Sequence, residues 1–409
     1  MSGPETIRAA PRPGSAGPTI LQIIPALDAG GAERGCIDVA AAIVDAGGRA
    51  LVASTGGRMV AELERTGGEW IDLPVASKNP LVIRANARRL ADLIRARGVD
   101  LVHVRSRAPA WSALAAARRT GVGLVSTVHN DYGAGTRLKR LYNSAMVRAD
   151  RVIAISPYVE RYLTATYDVP AERIRVVPRG IDPDRFAPES VGAERVAALA
   201  TAWRVPDEAR VIVLPARVTD RKGHLVLIDA LARLGRTDVV ALFVGETAGR
   251  ERYVARITER TEAAGVSDRI RLTGHCEDLP AAMKLADIVC LPTRRPEGFG
   301  RVYVEAARMG RPVVASAVGA ALDLVADGET GRLVPPDDAA ALAEALVAML
   351  DLDDGARARL AATAQARAAP FTRARMTAET LAVYEELLGR PFPSRAAEPA
   401  EAGAAGARP

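Results

Sequence analysis

The stretch RRPEGFGRVYVEA, residues 294–306, sets two acids, Glu297 and Glu305, on either side of Gly298-Phe299-Gly300. The turn runs into a helical pattern, so a helix starting near Gly300 leaves Glu297 on the preceding loop and Glu305 in the second turn. First-turn amides lack intrahelical acceptors and carry the positive end of the helix dipole, which favours an anion. Two carboxylates repel a bare phosphate, but they accept hydrogen bonds from neighbouring hydroxyls. Acid, amide-lined pocket, acid is what a nucleotide-sugar requires: one glutamate for ribose, one for the sugar, backbone amides between. Taken singly, each glutamate is equally what an ordinary helix start or a solvated loop places there.

The segment LPARVTDRKGH, residues 214–224, adds Arg217 at a strand end and Lys222 where the next helix opens. Two cations at a strand-to-helix turn suit a diphosphate and the charge that grows on it as it departs. Lys222 stands near a helix N-terminus, the wrong end for a cation on dipole grounds, which favours a functional reason for it. In LDAGGAERG, residues 27–35, Gly30 and Gly31 let backbone approach a ligand after the first strand. The spacing is neither G-x-G-x-x-G nor a P-loop, so dinucleotide and NTPase readings lose support, and a plain strand-helix turn fits as well. STVHND places His129 at another strand end. No Ser-His-Asp or Cys-His arrangement and no G-x-S-x-G accompanies it.

The elements that must hold these residues alternate. TILQIIPAL, RALVAST, EWIDLPV, VDLVHVRS, VGLVSTVH and RVIAIS read as strands separated by amphipathic helices, among them NPLVIRANARRLADLIRARG with its Pro start and Gly stop. After IRVVPRGIDPDRF a second series begins with RVIVLPAR and runs through VVALFVG, IRLTGH, ADIVCLPT and PVVASAVG. This β-α-β rhythm predicts an α/β protein of two Rossmann-like, doubly wound parallel-sheet domains facing a central cleft. The expected division is a disordered tail at 1–18, one domain at 19–187, a second at 206–370, a closing helix at 371–388 and a second tail at 389–409.

Composition narrows the classes. The 409 residues are 49% hydrophobic, enough for two cores, and no stretch is long and apolar enough for a membrane-spanning helix. Residues 1–190 hold 26 Lys and Arg against 19 Asp and Glu, a surplus of 7 that leaves about −1 for the rest of a chain of net charge +6. Aromatics at 4% offer few stacking platforms, so nucleic acid is not expected, and an anionic substrate or membrane surface is. Arg84, Arg88 and Arg95 along one helix face and Arg137, Lys139 and Arg140 after His129 are candidates for that surface or for an anionic acceptor. The cysteines, Cys36, Cys276 and Cys290, are too scattered for a disulfide framework or a zinc site. No metal site is expected, and the location expected is cytoplasmic.

As a set, Glu297 with Glu305 (E-x7-E), GGAE after the first strand, His129 and RVTDRKG resemble the retaining glycosyltransferases of family 4, which have the GT-B fold. PRGID at 178–182, DLPAAMKLADIVCLPT and GRPVVASAVGA followed by DGETGRLVPPDD fit as well. The resemblance spans residues 19–388. It implies that Arg217 and Lys222 bind the diphosphate of a UDP- or GDP-sugar, which is a substrate, so that no cofactor is required. Glu305 would hold the ribose and Glu297 the sugar hydroxyls, beside the amides of Phe299 and Gly300. Gly30 and Gly31 would close the donor site, and His129 would touch the transferred sugar. The acceptor implied is a lipid-linked or cell-envelope glycan, as in lipopolysaccharide synthesis, at the inner face of the cytoplasmic membrane. Where many members carry Asn before the Gly of GID, this chain has Arg179. A sugar-nucleotide epimerase of the same fold and a non-catalytic nucleotide-sugar-binding scaffold are the alternatives.

Overall fold

A computed structural model of the chain describes residues 17–28, 30–133 and 135–393. Two all-parallel sheets carry it. The first contains β1 (Thr19–Ile23), β2 (Arg49–Ser54), β3 (Glu69–Asp72), β4 (Leu101–Val104), β5 (Gly123–Val128), β6 (Arg151–Ala154) and β7 (Ile174–Val176) in the order β3-β2-β1-β4-β5-β6-β7. The second contains β8 (Arg210–Pro215), β9 (Val239–Val244), β10 (Ile270–Gly274), β11 (Ile288–Leu291), β12 (Val313–Ser316) and β13 (Gly331–Val334) in the order β10-β9-β8-β11-β12-β13.

Helices on both faces leave the central strands no polar side, and β1, β4, β9, β11 and β12 are buried at every position. Strand order reverses once in each sheet, between β1 and β4 and between β8 and β11. At such a reversal neighbouring crossovers run to opposite faces and open a crevice beyond the strands' carboxyl ends, where ligands of this architecture bind.

Contacts divide the chain into two compact units, one of Met1–Thr127, Ala134–Ile153 and Thr377–Pro409, the other of Val128–Gly133 and Ala154–Met376. The boundary expected near residues 187–206 falls between β7 and β8, the last strand of the first sheet and the first of the second. The short segment carrying His129 belongs with the second unit, and the end of the helix Arg373–Leu388 belongs with the first. In the first unit, buried Tyr384 meets buried His103 at 2.5 Å, and Glu386 pairs with Arg151 at 2.6 Å.

The loosely patterned stretch after the first domain contains the helix Ala193–Ala202, which sequence patterning did not resolve because none of its residues is buried. It is tied down by Arg195, paired with Asp278 at 2.6 Å. The described chain reaches into both stretches expected to be tails, 1–18 and 389–409. Pro18 accepts the Arg49 amide at 2.9 Å. Phe392 is buried, its amide donates to Glu385 at 2.9 Å, and its ring lies against Gly48, so the chain is packed through Pro393. Residues 1–16 and 394–409 lie outside the described residues.

Candidate active site

In the second unit, the loops that leave β8 and β11 flank the strand-order reversal and are sewn together. The Arg221 carbonyl accepts the Arg294 amide at 2.8 Å and the Thr293 hydroxyl at 3.1 Å, while the Arg221 guanidinium donates to the Pro296 carbonyl. This stitching brings Lys222, from the first loop, into an ion pair with Glu297, from the second. Both side chains are mostly buried, at 20% and 16% exposure, so the pair is screened less than a surface bridge. Arg217 follows β8 and is exposed at the same strand end.

The helix Arg301–Arg308 starts one residue after Gly300, whose φ of 75° places it in the left-handed region as the N-cap. No side chain caps that end; the Tyr303 amide turns back to the Gly300 carbonyl at 3.0 Å, and the Arg301 and Val302 amides ahead of it have no side-chain cap. Glu305 lies in the second turn as expected, but it is 4% exposed and bonded to Arg301 at 3.0 Å. Burial raises its carboxyl above the ordinary range, and the charges of Arg301 and then Arg185 oppose that rise. Tyr303 packs within the same turn. Its hydroxyl is held well above its ordinary value, first by burial and then by the charge of Glu297. Phe299 is buried edge-to-face against Phe371, with centroids 5.8 Å apart, so its side chain anchors the loop.

Two glycines allow the loop to sit where it does. A Cβ on Gly298 would lie 2.2 Å from the His129 carbonyl oxygen, so only glycine admits the His129 backbone here. The Gly298 carbonyl is also held by the hydroxyl of Ser156, which caps the helix Pro157–Tyr167 and accepts the Val159 amide at 3.1 Å. Gly319, at φ 63°, lies against the Glu297 peptide, whose carbonyl accepts the Ala320 amide at 3.0 Å. His129 is half-buried after β5, its amide donating to the Tyr132 hydroxyl at 3.2 Å. The next residues are held by Tyr162, which accepts the Tyr132 amide at 3.1 Å, and by Tyr158, which donates to Asp131 at 3.2 Å. Burial and Asp131 push the Tyr158 hydroxyl up to about 12, so it stays protonated as that donor.

Arg217, Lys222, Glu297, Phe299, Gly300, Glu305 and His129 therefore all fall in one compact unit. Gly30 and Gly31 lie after β1 in the other, at its own strand-order reversal. Arg84, Arg88 and Arg95 are exposed on the helix Pro80–Arg97, with Arg95 bonded to Asp92 at 3.2 Å. Arg137, Lys139 and Arg140 are exposed on the helix Arg137–Asn143. Sequence reasoning missed Gly319, Ser156 and Arg301. Gly319 and Arg301 lay unread inside quoted motifs, although the i,i+4 spacing of Arg301 to Glu305 could have found the second, whereas Ser156 acts through a contact 142 residues away that spacing does not encode. Among the described residues, no group of three or more His, Cys, Asp or Glu is arranged to hold a metal ion.

Residues 29–185 match the family described as Glycosyltransferase Family 4, and residues 209–352 match that described as Glycosyl transferases group 1. A glycosyltransferase of Rickettsia africae is 32% identical with a TM-score of 0.85, the match covering 91% of this chain and 99% of that one. The chain belongs to glycosyltransferase family 4. Its fold is GT-B, in two parallel-sheet α/β domains. This glycosyltransferase is also similar to D-inositol 3-phosphate glycosyltransferase of Salinispora tropica, at 34% identity over 321 residues. That similarity spans 72% of this chain and 66% of the relative, just under two thirds of its length. HepE (Alr3699) of Anabaena, solved in complex with UDP and glucose, is 25% identical with a TM-score of 0.78, covering 90% of this chain and 99% of that one.

Proposed function

We propose that this glycosyltransferase moves a hexose from a UDP- or GDP-sugar to a lipid-linked or cell-envelope glycan with retention of configuration. The observation that carries the reading is the Lys222–Glu297 pair at the reversal between β8 and β11, with Arg217 exposed after β8 and no side chain capping the helix that follows Gly300. A cation and a carboxylate held together can separate onto a donor's diphosphate and its sugar hydroxyls. Arg217 and Lys222 bind the diphosphate and stabilise the charge that grows on it, and no resident metal is required for that. Glu305 binds the ribose hydroxyls, and the amides of Phe299 and Gly300 flank Glu297. HepE of Anabaena, similar to this chain and solved with UDP and glucose, supports such a donor.

In the transfer, the bond from the anomeric carbon to the diphosphate oxygen breaks as the acceptor hydroxyl attacks from the same face. The hydroxyl proton passes to the departing phosphate oxygen. Positioning and charge stabilisation supply the rate, with no separate protein base. An epimerase needs acid and base groups flanking one sugar carbon, and His129 alone does not supply them. A scaffold would have no use for a Lys222–Glu297 pair set apart from bulk water.

The acceptor reading draws on the first unit. Exposed Leu138 and Leu141 stand among Arg137, Lys139 and Arg140, and Leu81 is exposed one turn from Arg84. Apolar side chains ringed by cations suit an anionic membrane surface, which supports a peripheral station at the inner face of the cytoplasmic membrane. No helix among the described residues is long and apolar enough to cross a membrane. The test is release of nucleoside diphosphate from UDP-, GDP- and ADP-hexoses, with and without inositol phosphates or short glycans as acceptors. Release from a UDP- or GDP-hexose that Glu297→Ala abolishes supports the reading, and wild-type release by that variant overturns the role of Glu297.

A further inference from the structure

Arg179 stands where the family resemblance leads one to expect Asn, and its surroundings give it a task. The residue is buried, at 7% exposure, and its Nη2 lies 2.7 Å from Nδ1 of His129. Its Nη1 lies 4.0 Å from the Met376 sulfur, and the neighbouring Gly180 amide donates to the same sulfur at 3.5 Å. The strand-like bridge between Ile181 and Thr372 fixes this segment, with the Ile181 amide donating to the Phe371 carbonyl at 2.9 Å and the Arg373 amide to the Ile181 carbonyl at 2.9 Å. The guanidinium is therefore carried on a clamped backbone and is not a swinging surface arm.

A guanidinium has five donors and no acceptor, so its contact with a ring nitrogen assigns the roles. His129 Nδ1 must offer a lone pair, and the ring's one remaining proton must sit on Nε2. A second proton on Nδ1 would set two donors and two positive charges against each other at that distance. We propose that Arg179 is a positioning residue that locks His129 as a neutral imidazole protonated on Nε2, making it a hydrogen-bond donor to the transferred sugar and unable to serve as a proton-accepting base.

The proposal deepens, and in its second half rests on, the reading of His129 as a sugar contact. It also separates transferase from epimerase on chemical grounds. A ring fixed as a donor can orient a sugar hydroxyl by its oxygen lone pair, which suits an enzyme whose leaving phosphate takes the acceptor's proton. It cannot abstract a proton from a sugar carbon. The nearby charge also polarises the Nε2–H bond toward the substrate.

The test is two-bond nitrogen–proton correlation spectroscopy of the full-length, histidine-labelled protein at neutral pH, with the His129 signals identified by their loss in His129→Gln. The chain has four histidines, so the spectrum is tractable. The expected result is a His129 signature with pyridine-like Nδ1 and protonated Nε2. Arg179→Lys, which keeps a cationic donor, should retain it, and Arg179→Met should give a mixture of tautomers or the charged ring while the other histidine signals stay in place. A wild-type ring protonated on Nδ1, or doubly protonated, overturns the proposal, as does an unchanged signature in Arg179→Met. Turnover is read separately. Arg179→Met should lower kcat about tenfold, the value of one neutral hydrogen bond, with KM for the donor little changed, and Arg179→Lys should restore most of it. The predicted tautomer together with full activity in His129→Gln would leave the lock standing and remove His129 from the sugar site.

Discussion

Gly319 approaches Glu297 so closely that a Cβ on it would stand 2.6 Å from the Glu297 nitrogen and 2.7 Å from its carbonyl oxygen. The loop after β12 is thus the back wall against which the Glu297 peptide is set, while Lys222 holds the side chain from the front. Gly319→Ala must push this peptide away and strain a backbone at φ 63°. It should cost about 1–3 kcal/mol in denaturant unfolding and reduce donor turnover further than that loss explains. Gly328→Ala, at φ 79° but with open space around it, should show the backbone cost without the loss of turnover. Equal activity losses in both variants would remove Gly319 from the site.

Glu305 should separate stability from binding. Its carboxyl is raised by burial, so the folded chain holds a proton that the unfolded chain has released just above the ordinary carboxylate range. Its favourable contribution is present at low pH and is lost as pH rises through the folded value. Once ionised, the buried group is a cost that Arg301 offsets. Glu305→Gln should therefore leave neutral-pH thermal stability unchanged or higher, while nucleotide affinity falls about tenfold through loss of a charged hydrogen bond to ribose. Thermal melts and calorimetry on the same sample check both halves.

His224 predicts an acid limb of stability unrelated to catalysis. The ring is wholly buried beside Phe243 and Tyr253, and burial first, with the charge of Lys222, lowers it from 6.5 to about 4. Between those values the unfolded chain binds a proton that the folded chain refuses. The contribution is intact above pH 6.5 and falls as pH drops toward 4, by up to about 3 kcal/mol. Urea unfolding of His224→Phe, which keeps the ring contacts, should lose that part of the pH slope. An identical slope in variant and wild type would refute the assignment.

The fold was readable because both sheets are parallel and covered on two faces, which turns each strand into a short apolar run between helices of marked periodicity. The helix Ala193–Ala202 escaped for the opposite reason: it buries no residue, so no periodic stripe marks it. The placement of Glu297 on the loop before a helix, of Glu305 in that helix's second turn and of Lys222 at a strand-to-helix turn was legible from residue type beside Gly. Their mutual arrangement was not, because the Lys222–Glu297 pair closes across 75 residues and depends on backbone bonds from Arg294 to Arg221. Arg179 was visible only as a departure from a motif. Its partner, His129, is 50 residues away in sequence.

Metal removal offers an independent check on the chemistry. If Arg217 and Lys222 carry the diphosphate charge, exhaustive treatment with a chelator should leave kcat within about twofold of the untreated enzyme, since neither Lewis-acid nor clamping roles fall to an ion. A large loss restored by magnesium or manganese would assign that charge to a metal instead.

The most direct measurement is calorimetric titration of UDP and GDP, with ADP as control, into the wild-type enzyme and into Arg217→Ala/Lys222→Ala without added metal. The donor-site account predicts binding of UDP or GDP to the wild type, and a loss of at least about a hundredfold in the double variant from two missing charged hydrogen bonds. Undiminished affinity in the double variant, or no binding of either nucleotide by a folded wild type even with divalent metal restored, would contradict it.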